Sequence, residues 1–192
     1  DGDPSLAGRW HGGDALAAGS CLLKEGFEIK ALAFFPLAEC SALCQEQAVS
    51  FQKAGGKIDF TPLLDSSEPE DLGVVIDGIL GTGFKGPLTD FLQQNIEKIN
   101  SWNLPTIAID IPSGVDGNDG SVATTAVKAE ITVCLGLPKA GLFMGSGWDY
   151  VGRLILGDFG LPAEIVEQAQ AQFVLFNDNS LRSLLPEMKR TR

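Results

Sequence analysis

The sequence predicts one α/β domain, in which a mostly parallel sheet is covered by helices on both faces. Segments with strand character alternate with amphipathic helical segments along the chain, and this alternation is typical of a parallel sheet. The 192 residues are 44% hydrophobic and 20% charged, which is the composition of a soluble globular domain. The run Thr106–Ile109 is apolar throughout, as expected for a strand that is buried on both faces.

The predicted helices carry apolar residues at helical spacing, and the predicted strands are short apolar runs bounded by turn residues. The helices are predicted at 11–25, 37–54, 88–102 and 161–171, and the strands at 27–35, 57–60, 72–80, 106–110, 129–135, 152–157 and 173–176. Gly55 and Gly56 end the second helix, and Pro162 suits the start of the last one. Residues 61–71 and 115–125 are polar and predicted to be loops.

The charge and the cysteines exclude several classes of function. A formal net charge of -11 and a pI near 4.4 disfavour nucleic acid or an anionic membrane surface as the main partner. No apolar run is long enough to span a bilayer. Cys21, Cys40, Cys44 and Cys134 show no C-x-x-C spacing, and the chain has one histidine, so a zinc site is not expected. Reduced thiols in a cytoplasmic protein are predicted.

Acidic residues end two of the predicted strands. V-V-I-D ends on Asp77, and T-I-A-I-D ends on Asp110, which is followed by Pro112 and Ser113. Because the carboxyl ends of parallel strands line the ligand crevice, these residues mark a candidate site. Two neighbouring carboxylates repel, so one is protonated or a cation lies between them; alternatively, each acid caps its own loop. Oxygen ligands from Asp77, Ser113 and the backbone would suit a hard cation.

Two glycine-rich segments are candidate phosphate sites. The turn Gly12–Gly13 precedes a helix whose first turn contains Asp14, and Gly81–Pro87 is G-T-G-F-K-G-P. Both could offer backbone N–H groups to an anion. The second segment is neither a Walker A loop nor a full G-x-G-x-x-G fingerprint. Lys85 and Lys139 either supply positive charge for a phosphate or are solvated loop lysines.

Taken together, the motifs resemble the YjeF N-terminal domain family, the NAD(P)H-hydrate epimerases. The matching motifs follow one another over nearly the whole chain: G-G-D at 12–14, V-I-D-G-I-L-G-T-G-F at 75–84, A-I-D-I-P-S-G at 108–114, V-K-A-E-I-T-V at 127–133, L-P-K-A-G-L at 137–142 and G-R-L-I-L-G-D-F-G-L-P at 152–162. Each motif is weak alone, but the ordered series is specific.

The resemblance implies a Rossmann-like three-layer αβα sandwich that interconverts the R and S forms of hydrated NADH and NADPH. Asp110 would carry the proton, with Lys139 as its electrostatic support. The implied substrate-binding residues are Gly12, Gly13, Asp14, Gly81, Thr82, Gly83, Phe84, Lys85, Gly86, Pro87 and Asp110. Asp77 and Ser113 would be potassium ligands. His11 stands where the family has a further asparagine ligand, which implies weakened or lost potassium binding.

The resemblance also implies a domain organisation. Residues 1–176 would form the epimerase domain, with an atypical, shortened start before Gly12. Residues 177–192 would lead toward an ADP-dependent dehydratase domain that lies outside this sequence. A homodimer is expected. A non-catalytic scaffold or an inactive fragment is the alternative, but the acids at both strand ends favour the enzyme.

Overall fold

The computed structural model describes residues 12–60, 72–84, 86–122, 124–158, 160–169 and 173. The chain divides into two compact units, residues 1–159 and residues 160–192. The predicted loop at 61–71 and the predicted linker at 177–192 lie outside the described residues, as does most of the predicted strand at 173–176.

The first unit contains six described strands in two parallel sheets. The strands are β1 (Lys30–Leu32), β2 (Lys57–Asp59), β3 (Val75–Asp77), β4 (Thr106–Ile109), β5 (Ile131–Leu135) and β6 (Arg153–Gly157). β1 pairs with β2, and the larger sheet has the order β3-β4-β5-β6. Every one of these pairs is parallel. The predicted α/β class with a parallel, Rossmann-like sheet is therefore confirmed.

The described α-helices of the first unit are α1 (Gly13–Lys24), α2 (Ala42–Lys53), α3 (Asp90–Ser101) and α4 (Trp148–Val151), and the second unit contains α5 (Ala163–Gln168). Side-chain caps begin two of them. Ser41 Oγ accepts a hydrogen bond from Cys44 N at 3.2 Å, and Thr89 Oγ1 accepts one from Leu92 N at 3.3 Å. Such caps satisfy backbone donors that have no partner within the helix. None of the described helices is long and apolar enough to cross a membrane.

Several elements differ from the sequence-based prediction, and the strand predicted at 72–80 is hydrogen-bonded as a strand only at Val75–Asp77. The strand predicted at 27–35 is hydrogen-bonded as a strand only at Lys30–Leu32. The helix predicted from 37 to 54 is interrupted, because a 3-10 turn at Leu37–Glu39 comes first and the Ser41 cap starts a new helix. The short helix Trp148–Val151 was not predicted, since four residues between glycines carry too little periodicity to register.

Two clusters of buried side chains anchor the loops that follow β3 and β4. One cluster contains Leu80, just after β3, and packs it against helix α3 through Leu92 and Ile96. The other contains Ile111, just after β4, together with Leu142 and Val151. The segments that follow the two acid-ending strands are therefore fixed by hydrophobic packing on one side.

Candidate functional site

Asp110 is the first residue beyond β4, and its backbone conformation is unusual. Its φ is 70°, in the left-handed region that few residues other than glycine and asparagine adopt. The Asp110 N–H still donates to Val133 O at 2.8 Å, which continues the pairing with β5 by one residue. The chain therefore turns at Asp110 while its backbone stays tied to the sheet.

One oxygen of the Asp110 carboxylate is fully engaged. Oδ1 accepts hydrogen bonds from the Leu135 N–H at 3.0 Å and from the Lys139 ammonium group. Oδ2 has no hydrogen-bond partner among the residues that the structure describes. The two charged side chains are mostly shielded from solvent, with exposed fractions of 18% for Asp110 and 22% for Lys139. Asp110 therefore has one oxygen that is fixed and one that is available.

Lys139 has three acceptors for its three ammonium hydrogens. Besides Asp110, its Nζ lies 2.7 Å from Leu135 O and 3.6 Å from Cys134 Sγ. Burial raises the pKa of the Cys134 thiol, although the nearby Lys139 charge acts in the opposite direction. Cys134 is therefore a neutral thiol beside the Lys139 ammonium group. The three acceptors hold that ammonium group in place.

A cavity of about 140 Å³ opens beside Asp110. It is lined by Asp14, Ala15, Gly78, Leu80, Gly81, Thr82, Ile109 and Asp110. The lining combines the first turn of α1, the loop after β3 and the end of β4. Asp14, Gly81, Thr82 and Asp110 were all predicted from the sequence, and the structure brings these four together around one space.

Asp77 and Ser113 form a separate, buried contact between β3 and the loop after β4. Asp77 Oδ1 accepts from Ser113 Oγ at 2.6 Å and from Ile79 N at 3.2 Å, while Oδ2 accepts from Ser113 N at 2.8 Å. Ser113 Oγ in turn accepts from Leu80 N at 2.8 Å. Asp77 is 1% exposed, and burial raises the pKa of its carboxyl, opposed by these hydrogen bonds. Each predicted acid therefore has its own set of donors.

The surroundings of Asp77 fit a hard cation in their donor chemistry. Carboxylate, hydroxyl and backbone carbonyl oxygens are the ligands that such ions take. No cationic side chain among the described residues pairs with the buried Asp77 carboxylate, and Oδ2 accepts only one hydrogen bond. The described residues contain no group of three His, Cys, Asp or Glu side chains that could hold a metal. A cation here would therefore depend on Asp77, Ser113 and backbone oxygens.

A second cavity, of about 170 Å³, is lined by Phe84, Gly86, Gly114, Asp116 and Ser121. Two more of the predicted substrate-binding residues, Phe84 and Gly86, line this cavity. The remaining predicted residues are not among the lining of either cavity. Gly12 and Gly13 pack closely, since a Cβ built on them would lie 3.3 Å from Gly78 O and from Cys44 Cα respectively. Gly83 and Pro87 line neither cavity, and Lys85 lies outside the described residues.

Sequence reasoning missed several lining residues. Gly78, Leu80 and Ile109 lie directly beside the two predicted acids, so the strand-end argument could have included them. Asp116 and Ser121 belong to the polar segment 115–125, which was predicted only as a loop. Their signal is weak in the sequence, because acids and serines are ordinary loop residues.

These features define a class of protein: a Rossmann-like fold with an acid at the carboxyl end of a central strand and a glycine-rich loop beside it. Residues 7–141 match the family described as YjeF-related protein N-terminus, and the chain belongs to that family.

Two named proteins are similar in sequence to this chain. A bifunctional NAD(P)H-hydrate repair enzyme Nnr of Thermosynechococcus vestitus is 34% identical over 168 residues, which cover 86% of this chain and 32% of that enzyme. An NAD(P)H-hydrate epimerase of Limosilactobacillus fermentum is 32% identical over 151 residues, covering 77% of this chain and 69% of the epimerase. The matches span between 17% and 34% of the length of the bifunctional relatives.

A crystal structure of the yeast protein ynu0 shares the fold. The TM-score is 0.65, with 16% sequence identity, and the match covers 87% of this chain and 70% of the yeast chain. At this identity the similarity establishes the fold alone.

Proposed function

We propose that the chain catalyses the interconversion of the R and S forms of hydrated NADH and NADPH, a step in the repair of damaged nicotinamide nucleotides. The observation that carries this proposal is the Asp110 carboxyl, which has one oxygen held and the other unpartnered beside a cavity. The names of the relatives, an epimerase and bifunctional repair enzymes, support the same activity.

The proposed reaction uses one carboxyl group as acid and then as base. The hydrated ring carbon carries a hydroxyl and is bonded to the ring nitrogen. In this step Asp110 carries a proton on Oδ2 and donates it to that hydroxyl. The C–O bond breaks and water leaves, the nitrogen lone pair forms a planar iminium ion, and Asp110 becomes a carboxylate. The planar ion then turns its other face toward Asp110, water adds to that face, and Asp110 takes the proton back. The proton count of the enzyme is unchanged at the end of the cycle.

The hydrogen bonds of Asp110 indicate which atom moves the proton. Oδ1 accepts from two donors, so Oδ2 is the oxygen that remains for the substrate hydroxyl. Lys139 would fix this orientation without contacting the substrate, because its acceptors are Asp110, Leu135 O and Cys134 Sγ. A fixed carboxyl removes much of the orientational cost of proton transfer.

Potassium belongs to the same proposal. When bound at Asp77 and Ser113, the ion would compensate a carboxylate whose burial is costly, and so steady the loop that leads from β4 past Asp110. The resemblance further predicts a homodimer and a cytoplasmic location. It also predicts that a second domain accompanies this one, as expected for a bifunctional protein. The oligomeric state is tested by light scattering coupled to gel filtration.

The decisive experiment follows epimerisation directly. Purified chain receives R-form NADPH hydrate in potassium chloride or in tetramethylammonium chloride, and chromatography measures the S form against the spontaneous rate. We expect acceleration that potassium increases and that Asp110→Asn reduces by roughly 10²-fold or more. Asp119→Asn, which changes an exposed loop carboxylate, is the control and should retain the activity. No acceleration by a cooperatively folded chain would instead support a binding role.

A further inference from the structure

The second cavity has a chemistry that the proposed reaction does not use. It is about 170 Å³ in volume, and its lining residues include the aromatic Phe84, the acidic Asp116 and the hydroxyl-bearing Ser121. An aromatic face, a carboxylate and a hydroxyl are groups that bind a nucleoside: the ring stacks on a base, and the polar groups accept from or donate to a sugar.

Asp116 is held by its own loop, with part of its carboxylate left over. Oδ1 accepts from Asn118 N at 2.7 Å and from Asn118 Nδ2 at 2.8 Å. Oδ2 has no hydrogen-bond partner, and no cationic side chain pairs with Asp116, among the described residues. The backbone of the loop is closed by Asp116 N to Ser121 O and Gly120 N to Asp116 O, both 2.9 Å. The carboxylate is thus presented by a constrained turn.

The two cavities adjoin the same pair of loops. The first touches Gly81 and Thr82 together with Asp110, and the second touches Phe84 and Gly86 together with Gly114. The loop that carries Asp116 also packs near both sites, because a Cβ built on Gly117 would lie 3.7 Å from Thr82 Cγ2 and from Lys139 Cγ.

The glycine-rich loop, which contributes residues to both cavities, offers backbone donors. The N–H groups of Gly81, Thr82 and Gly83 have no hydrogen-bond partner in the described part of the chain. The loop is closed by Phe84 N donating to Gly81 O at 3.0 Å. Successive free N–H groups in a tight turn form a site for phosphate oxygens. Along this loop, the residues that line the first cavity and the free N–H groups come first, and the residues that line the second cavity follow.

We propose that the second cavity holds the adenosine half of the dinucleotide, that Asp116 accepts a hydrogen bond from the adenosine ribose 2′-hydroxyl, and that the chain consequently prefers NADH hydrate over NADPH hydrate. This inference rests on the proposed function, since it assumes the same dinucleotide substrate. A carboxylate accepts well from a ribose hydroxyl and repels a phosphate at the same carbon. Asp116 therefore sets the specificity.

The first experiment compares the two substrates. kcat/KM is measured with R-form NADH hydrate and R-form NADPH hydrate for the wild type, Asp116→Asn and Asp119→Asn. We expect the wild type to favour NADH hydrate by about tenfold or more, which corresponds to about 1.4 kcal/mol. Asp116→Asn should bring the ratio to within about threefold by improving the reaction of NADPH hydrate. Asp119, on the same loop, caps Ser121 N and does not line the cavity, so its variant should keep the wild-type ratio.

The second experiment does not need turnover. Calorimetric titration compares adenosine 5′-monophosphate with adenosine 2′,5′-bisphosphate on the same three proteins. Weaker binding of the bisphosphate in the wild type and in Asp119→Asn, with the difference lost in Asp116→Asn, is the expected result. Equal affinities in the wild type, or a difference that survives in Asp116→Asn, would overturn the proposal. A chain that binds as expected but does not epimerise would contradict the proposed function and leave the adenosine site standing.

Discussion

In the proposed reaction, Lys139 would act without contacting the substrate. Its ammonium group points to Asp110 Oδ1, Leu135 O and Cys134 Sγ. Since an ammonium group has three hydrogens, this arrangement leaves none for a ligand. The residue's effect is therefore to fix the orientation of Asp110, and its loss should change the rate of the chemical step more than the binding of the substrate.

We predict that Lys139→Met lowers kcat on the order of 10²-fold, because a carboxyl that can rotate is misplaced for proton transfer. KM should change by less than about threefold, since uniform substrate binding is not removed. Steady-state kinetics of epimerisation provide the measurement. Lys128→Met is the matched control, because this lysine is exposed and does not line the first cavity. A large rise in KM at unchanged kcat would show that Lys139 binds substrate after all.

At the scale of elements, the Asp77–Ser113 contact joins β3 to the loop after β4. Ser113→Ala removes a donor to a buried carboxylate and leaves the Leu80 N–H, now bonded to Ser113 Oγ at 2.8 Å, without its acceptor. We predict a loss of roughly 1–3 kcal/mol in the free energy of unfolding, measured by urea denaturation. Ser50→Ala removes an exposed hydroxyl bonded to Glu46 O within α2, and it should change stability by less than about 0.5 kcal/mol.

The second prediction at this scale concerns the contact between α1 and Gly78, the residue that follows β3. A Cβ built on Gly78 would lie 2.3 Å from Ala15 Cβ, so Gly78→Ala must displace the first turn of α1, where Asp14 and Ala15 line the cavity. We expect Gly78→Ala to lower epimerase turnover at least about tenfold. Adding Ala15→Gly removes the clashing methyl group and should restore most of that loss. Failure of the double variant to recover would mean that the two positions act independently.

How far the sequence could predict these elements depends on their periodicity. β4 and α3 were placed nearly to the residue, because a continuous apolar run and a helical stripe are strong signals. The break before α2 was missed, since it depends on the capping geometry of Ser41 rather than on hydrophobic spacing.

Some residues of the candidate site could be predicted from the sequence, and others could not. Asp110 and Asp77 stand at the carboxyl ends of strands, where open parallel sheets bind their ligands. Asp116 sits six residues beyond Asp110 in a polar loop, and only the folded turn brings it to the lining of a cavity with Phe84. The fold of that turn depends on the hydrogen bond that Asn118 N donates to Asp116 and on the one that Asp116 N donates to Ser121 O. A linear pattern does not specify these bonds.

At the scale of the whole molecule, the protein and its proposed substrate carry charge of the same sign and therefore repel each other. The chain has a formal net charge of -11, and a dinucleotide carries negative phosphates. Long-range repulsion slows the association of like charges, and dissolved salt screens it. The Debye length falls from about 30 Å at ~0.01 M salt to about 8 Å at ~0.15 M, so the effect should be visible over that range.

We therefore predict that kcat/KM for epimerisation rises with ionic strength, the opposite of the behaviour of electrostatically steered enzymes. The salt should be tetramethylammonium chloride, which separates screening from a specific effect of potassium. NADPH hydrate should gain more than NADH hydrate, because its additional phosphate increases the repulsion. A kcat/KM that falls with salt would mean that local positive charge near the glycine-rich loop, with Lys85 as its first candidate, outweighs the net charge of the chain.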